Sequence, residues 1–156
     1  MFTTNQKRKL IYRATRDGFN VADFHSKCDN LENSLVIIKS TNGNVFGGFT
    51  EQRWSNQNEF ESDRNAFLFS LKTKKIRASA HFFGYSSCIR ASNELGPSFG
   101  EALNICHNSN KIKESYSEFD FTYKHPYYRH GSDEAKSYLP GSHKFITTKI
   151  EIFTKS

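Results

Sequence analysis

Residues 35–50 constrain the fold more than any other part of the chain, because they have the pattern of a β-hairpin. Two apolar runs, the first with three consecutive β-branched residues, flank the pair Asn42-Gly43. Asn-Gly predicts a tight turn, since both residues adopt the positive φ angles that such hairpins require. The second run contains Gly47 and Gly48, and glycine inside a strand indicates a bulge or a close approach of backbone.

Further short apolar or alternating runs predict a mainly antiparallel β protein. The predicted strands are 9–14, 35–39, 44–50, 66–71, 76–83, 88–91, 103–106, 115–123 and 144–154. One helix is predicted from Asn20 to Asp29, because Asn20 is a good N-cap and Val21, Phe24 and Cys28 share one helical face. The polar segment 55–65 and the segment 126–140 are predicted loops. No strand–helix–strand rhythm is present, so the pattern favours a two-sheet antiparallel β-sandwich with small helices.

The hydrophobic positions of the predicted strands indicate a single core. Strand registers place six side chains in it, namely Val36, Ile38, Phe46, Phe67, Phe69 and Ile150. Trp54 is predicted to pack over the end of the hairpin, with a binding role as the alternative. Cys28 and Cys106 are predicted core residues, and all three cysteines, including Cys88, are interpreted as packing groups rather than redox centres.

Length and composition bound the class of protein. The 156 residues fit one domain, for which we predict a flexible lead at 1–8 and a single domain at 9–156. No apolar run approaches the roughly 18 residues of a transmembrane helix, and the N-terminal residues lack the apolar stretch of a secretory signal. The three cysteines are widely spaced, which fits neither a disulfide framework nor a paired zinc motif. These features predict a reducing compartment and a cytoplasmic location.

The net charge of +6 is the feature that could indicate nucleic-acid binding. The basic residues are mostly interspersed with acidic ones, apart from a short run at 7–9 and a group at 72–77. No groove-reading motif and no aromatic signature of RNA-binding sheets accompanies them. We therefore predict no specific nucleic-acid partner.

Three histidines are the residues best suited to chemistry: His125, His130 and His143 lie near one another in sequence, among several tyrosines. The spacing of His125 and His130 permits a shared metal without requiring one, and no cysteine or acid stands at a complementary distance. A small hydrolase or antioxidant enzyme built on this His/Tyr-rich segment is the alternative function. It would require a base and a nucleophile within hydrogen-bond reach. We predict no catalytic residue, no metal ligand and no cofactor.

Five segments, taken in order, resemble the TLDc domain of the oxidation-resistance protein family, in the divergent form found in multidomain proteins of lower eukaryotes. They are LIYRATRDGF (10–19), SLVIIKSTNGNVFGGFT (34–50), AFLFSL (66–71), LGPSFG (95–100) and the closing segment 141–153. The motif positions carried over are Gly18, Phe19, Gly43, Phe46, Gly47, Gly48, Trp54, Phe67, Phe69, Gly96, Pro97, Phe99, Gly100, Ile150 and Glu151. The chain departs from the better-known animal members at 101–106, where their glycine-rich stretch and Trp-Leu-Asp segment are absent.

The resemblance implies two antiparallel sheets packed face to face, with small helices around them. It also implies a non-catalytic domain whose role is to bind another protein. The partner it implies is the vacuolar-type proton ATPase, with oxidative-stress resistance arising through that partner rather than through peroxide chemistry.

Overall fold

The computed structural model describes residues 6–72, 76–79, 87–119, 122–125 and 127–155, with the backbone alone at 76–79. In chain order its elements are β1 (Arg8–Arg13), α1 (Ala14–Asp17), α2 (Val21–Cys28), β2 (Ser34–Ser40), β3 (Val45–Thr50), β4 (Glu59–Glu61), β5 (Phe67–Ser70), β6 (Ile76–Ser79), β7 (Ile89–Ala91), β8 (Ser98–Phe99), β9 (Leu103–Asn104), β10 (Ser115–Ser117), α3 (Asp133–Ser137), β11 (Lys144–Phe145) and β12 (Thr147–Lys155).

The strands form three antiparallel sheets within the described residues. The largest has the order β1-β12-β2-β3-β5-β6, so that the last strand of the chain lies between the first two. A four-stranded sheet has the order β11-β10-β9-β8, and β4 pairs with β7. Buried side chains from the first two sheets, such as Ile38 and Phe99, belong to one core. The predicted mainly β, antiparallel sandwich with small helices is confirmed.

The β2–β3 hairpin is confirmed, and its turn has three residues. The N–H of Gly43 donates to the carbonyl of Ser40 at 2.9 Å, and the N–H of Ser40 donates to the carbonyl of Asn44 at 3.0 Å. Gly43 has a φ of +83°. Asn42 does not have a positive φ, so the prediction was wrong in giving one to both residues of the pair. A turn followed by a left-handed glycine is the usual geometry of a three-residue hairpin loop.

Of the two alternatives predicted for Gly47 and Gly48, a bulge or a close approach of backbone, the structure shows the close approach, at Gly47. The register of β2 and β3 continues through both glycines without a bulge. A Cβ at Gly48 would lie 2.6 Å from the ring of Phe99, and one at Gly47 would collide with the backbone carbonyl of Val36. Gly48 therefore makes room for an aromatic ring, and Gly47 makes room for the backbone of the neighbouring strand.

Four of the six predicted core residues, Val36, Ile38, Phe46 and Ile150, lie in the core. The other two, on β5, do not. Gly48 lies opposite Leu68, whereas Phe49 lies opposite Phe67, which places Leu68 on the core face of the sheet. Phe67 is buried on the other face, where it stacks on Phe49 at 5.5 Å between ring centroids, and Phe69 on that face is half-buried.

Helix α2 begins and ends close to the predicted bounds. Asn20 precedes it, and its backbone N–H donates to the Asp23 carboxylate at 3.0 Å as half of a capping box. The predicted apolar face, Val21, Phe24 and Cys28, is buried. This helix is confirmed.

Several predicted bounds were wrong. The predicted loop 55–65 contains β4, and the predicted loop 126–140 contains α3, whose first turn is capped by the hydroxyl of Ser132. Strand β1 starts at Arg8, and Ala14 begins α1 rather than ending the strand. The strands predicted at 103–106 and 115–123 are shorter, and the closing strand is interrupted between β11 and β12. Residues 80–83 of the strand predicted at 76–83 lie outside the described residues.

Candidate functional site

An open groove of about 790 Å³ lies beside the four-stranded sheet. Tyr116 of β10 and Lys144 of β11 are direct cross-strand neighbours and both line it. Their neighbours on the opposite face, Ser115 and Phe145, are buried. The groove therefore lies on the side of this sheet that faces away from the core. Its lining residues are Phe60, Ser87, Glu101, Glu114, Tyr116, Glu118, Thr122, His130, His143 and Lys144.

Among the described residues, three carboxylates line the groove, those of Glu101, Glu114 and Glu118, together with one ammonium group, that of Lys144. Each carboxylate has a cationic partner, since Arg90 pairs with Glu101 and Lys136 with Glu118. Lys144 Nζ lies 2.6 Å from Glu114 Oε2, and the side chains of this pair are 49% and 61% exposed. Exposed ion pairs of this kind contribute little to stability, about 0–1 kcal/mol.

Phe60 and Glu101 already hold an arginine at one side of the groove. The guanidinium carbon of Arg90 lies 5.8 Å from the centre of the Phe60 ring, and its Nη1 lies 3.5 Å from Glu101 Oε1. The second carboxylate oxygen of Glu101 accepts a hydrogen bond from the Tyr116 hydroxyl at 3.1 Å. That bond and the negative charge of Glu101 add to the effect of burial, which is the main cause of the raised pKa of Tyr116.

His130 and His143 line the same groove, and the backbone orients both rings. His130 Nδ1 lies 2.7 Å from the Phe119 carbonyl oxygen, and His143 Nδ1 lies 3.0 Å from the Ser117 carbonyl oxygen. A carbonyl can only accept, so Nδ1 carries the proton in each ring. These bonds therefore fix the orientation of both rings.

His125, the third predicted candidate, lies apart from the groove lining. It is 2% exposed, and its ring stacks on Tyr128 at 4.5 Å. The backbone N–H groups of Tyr127 and Tyr128 both donate to His125 Nδ1 at 3.0 Å, which leaves the proton on Nε2. Burial lowers the pKa of this imidazole. The structure thus brings together two of the three histidines, and it places the third in an aromatic cluster.

The cysteines occupy two kinds of environment. Cys28 and Cys88 are buried, and burial, with smaller effects from the charges of Asp29 and Asp17, raises the pKa of Cys28 to about 12. Cys106 is only partly buried and follows the end of β9, so its prediction as a core strand residue was wrong. Its sulfur accepts a hydrogen bond from the Ser115 hydroxyl at 3.2 Å.

Trp54 is a core residue. It is 1% exposed, and its indole N–H donates to the Ser34 hydroxyl at 2.8 Å. Its ring lies edge-on to Phe24 and Phe99. The packing interpretation therefore fits this residue, and no part of it is available to a partner.

The other motif positions also form turns and packing contacts rather than the groove. Gly18 and Gly100 have positive φ angles, and the carbonyl of Gly18 accepts from the Tyr12 hydroxyl at 2.6 Å. The N–H of Gly96 donates to the backbone carbonyl of Ile105 at 2.8 Å. Pro97, the next residue, is buried. Phe19 packs against the core. Glu151 pairs with Arg13 at 2.9 Å on the sheet.

Sequence reasoning missed the groove, although parts of it carried a signal. The alternation that predicted a strand at 115–123 places Tyr116 and Glu118 together on its polar face, and His130 and His143 had been singled out for chemistry. Phe60 lay in a predicted loop, so nothing in the sequence connected it with Tyr116. Among the described residues, no group of three or more histidine, cysteine or acidic side chains has the arrangement of a metal site.

Antiparallel sheets that share a core with small helices around them are the architecture that the resemblance to TLDc domains implied. A family model of the TLDc domain matches residues 1–156, and the chain therefore belongs to the TLDc family. None of the helices in the described ranges has the length and apolar character needed to cross a membrane.

Curated relatives match about half of the chain or less. MTOR-associated protein MEAK7 of Xenopus laevis is 42% identical over 76 residues, which is 47% of this chain and 16% of that protein. The protein of the same name in Gallus gallus is 31% identical over 65 residues, covering 42% of this chain and 14% of the relative. The protein of the same name in Danio rerio is 27% identical over 63 residues, which is 40% of this chain and 14% of the relative. The matches therefore span less than a fifth of the length of each relative.

Proposed function

We propose that this TLDc domain is a non-catalytic module that binds another protein. The observation that carries the proposal is the groove beside the four-stranded sheet, where polar and aromatic side chains face solvent. Backbone carbonyls orient the two histidine rings in it through Nδ1. Carboxylates, an exposed aromatic ring and hydroxyl groups on one open surface are recognition groups suited to binding another protein.

The proposed partner is the vacuolar-type proton ATPase, with a contribution to oxidative-stress resistance through that partner. Support for it comes from the family to which the chain belongs. The name of the relatives, MTOR-associated protein, supports a role in protein association and adds an mTOR-containing assembly as a second candidate partner. We further propose a cytoplasmic location and one domain at 9–156 that follows a flexible lead at 1–8.

The competing function, a small hydrolase or antioxidant enzyme, has one observation in its favour. His130 and His143 line one groove together with Tyr116 and Ser87, so a hydroxyl-bearing residue lies on the same surface as both rings. The third histidine of the predicted segment, His125, is buried among tyrosines and accepts backbone hydrogen bonds. Binding remains the better supported of the two functions.

The test is affinity capture by the full chain, coupled to two activity assays. The immobilised chain is incubated with a eukaryotic lysate, and the bound proteins are quantified by mass spectrometry against a heat-unfolded sample of the same chain. We expect enrichment of vacuolar ATPase subunits. Peroxide consumption and ester hydrolysis should both equal the buffer blank.

Turnover by the wild-type chain that disappears in a His130→Ala, His143→Ala variant would show that the groove is an active site. Capture of no protein above the unfolded control would count against the binding role.

A further inference from the structure

We propose that the groove beside the four-stranded sheet receives a basic segment of the partner protein, with arginine or lysine side chains bound by its carboxylates and aromatic rings. This inference rests on the proposed protein-binding function and specifies the chemistry of the partner at that surface.

Charge complementarity is the first observation. The chain as a whole has a net charge of +6, yet the described side chains that line the groove comprise three carboxylates and one ammonium group. Arg90 and Lys136, which pair with Glu101 and Glu118, do not belong to the lining. Each carboxylate thus has a cationic neighbour, and cationic side chains of a partner would compete with Arg90, Lys136 and Lys144 for carboxylates that disfavour an acidic segment.

The chain itself supplies an example of the proposed contact. Arg90 lies over the Phe60 ring and pairs with Glu101, which combines a cation–π contact with an ion pair at the side of the groove. Phe60 is nevertheless 47% exposed. The remaining ring surface and the exposed carboxylates offer an incoming guanidinium the same two kinds of contact.

Hydrogen-bond acceptors are the second feature that suits a cationic side chain. Because His143 Nδ1 donates to the Ser117 carbonyl, Nε2 of the neutral ring is an acceptor. Lysine and arginine side chains are donors only. A lining of carboxylates and an imidazole acceptor therefore matches their chemistry.

A buried amide next to the groove lacks any hydrogen-bond partner. Asn104 of β9 lies directly across from Tyr116, so its side chain is on the groove side of the sheet. It is 1% exposed, and within the described residues neither its Oδ1 nor its Nδ2 has a hydrogen-bond partner. Native proteins leave few buried amides unsatisfied. Asn104 does not itself line the groove, so its unsatisfied amide is not a direct contact of the proposed segment.

The ion pairs now present do not block such a ligand. The Glu101 and Glu114 side chains are 55% and 61% exposed, and each is paired with a cation that is itself at the surface. Exposed pairs exchange partners at low cost. An incoming arginine or lysine can therefore replace Arg90 or Lys144.

The experiment measures peptide binding to the full chain by fluorescence anisotropy. The probe is a fluorescein-labelled peptide of Arg-Gly-Ser repeats, and the matched neutral probe has Gln-Gly-Ser repeats. We expect the arginine peptide to bind more tightly, with an affinity that falls as salt is added. Equal binding of both peptides overturns the proposal.

Two matched pairs of variants locate the binding site. Glu101→Gln with Glu114→Gln should weaken arginine-peptide binding about tenfold, equivalent to about 1.4 kcal/mol. Glu32→Gln with Glu51→Gln makes the same change in net charge at exposed sites outside the groove and should leave binding unchanged. Likewise Phe60→Ala should weaken binding, whereas Tyr127→Ala, which removes an aromatic ring 80% exposed outside the lining, should not.

Equal losses in the groove variants and their controls overturn the assignment of the groove. That result leaves the affinity capture by the wild-type chain to decide the protein-binding function separately.

Discussion

Gly43 is the residue on which the β2–β3 turn depends. Its φ of +83° lies in the left-handed region, and a Cβ built there would meet no atom within 4 Å. Any cost of a side chain at this position therefore comes from the backbone conformation and not from a clash.

We expect Gly43→Val to destabilise the fold by about 1–2 kcal/mol, because β-branched residues are disfavoured at positive φ. Gly43→Asn is the matched control and should lose less, since asparagine tolerates this conformation. Urea unfolding midpoints of the two variants provide the measurement. Equal stability of the valine variant and the wild type would contradict the observed turn.

His125 should make stability depend on pH. Burial lowers its pKa in the folded state below the ordinary value of 6.5, so below that value the unfolded chain binds more protons than the folded one. The contribution of His125 is therefore fully present above about pH 6.5 and is lost as the pH falls.

The measurement is the thermal midpoint of wild type and His125→Gln between pH 8 and about pH 5. We expect the wild type to lose more stability than the variant on acidification. At pH 8 the ring is neutral in both states, so the difference there isolates the packing cost of the substitution. Parallel curves for the two proteins would contradict the assignment.

At the scale of single elements, β5 shows how alternation decides which ring lies in the core. Its sequence Phe67-Leu68-Phe69 is apolar at three consecutive positions, so the chain gives no polar residue to mark the exposed face. The pairing with β3 determines which side chain of β5 faces the core, because Leu68 is the partner of Gly48 on the core side of the sheet.

Leu68→Ala should therefore cost about 2–5 kcal/mol of unfolding free energy, as for other buried leucines. Phe69→Ala should cost less, although it removes more atoms, because Phe69 is only half-buried on the other face. Chemical denaturation of both variants tests the order. A larger loss for Phe69→Ala would show that the two faces of β5 have been exchanged.

The same elements show what the sequence could predict. The hairpin and α2 were predictable because local signals coincide in them: a turn glycine, a capping box and a regular apolar face. Strand β4 has the sequence Glu-Phe-Glu and pairs with β7 far along the chain, so only tertiary structure reveals it. The groove depends on such pairings, which bring Phe60, Tyr116 and Lys144 to one surface.

At the scale of the whole molecule, the three cysteines differ in how accessible their thiols are to solvent. Cys28 and Cys88 are buried, whereas Cys106 is partly exposed. Thiolate is the reactive form, and burial keeps Cys28 protonated at neutral pH.

We expect one of the three thiols to react quickly with a thiol reagent in the folded chain, and all three to react in denaturant. Cys106→Ser should remove the fast reaction, while Cys28→Ser should leave it in place. The triple variant Cys28→Ser, Cys88→Ala, Cys106→Ala should still bind the partner, and its thermal stability should be lower because two of the three residues pack in the core. Peroxide consumption that the triple variant loses would instead indicate a thiol enzyme.

The position of β12 between β1 and β2 has a consequence for biosynthesis. Within this domain β1 and β2 leave the ribosome well before β12, the strand that joins them. Until then β1 has no strand beside it within the described sheet, and one edge of β2 is open to other chains. The sheet is therefore completed only after β12 has been synthesised, and until then its unpaired strand edges favour aggregation.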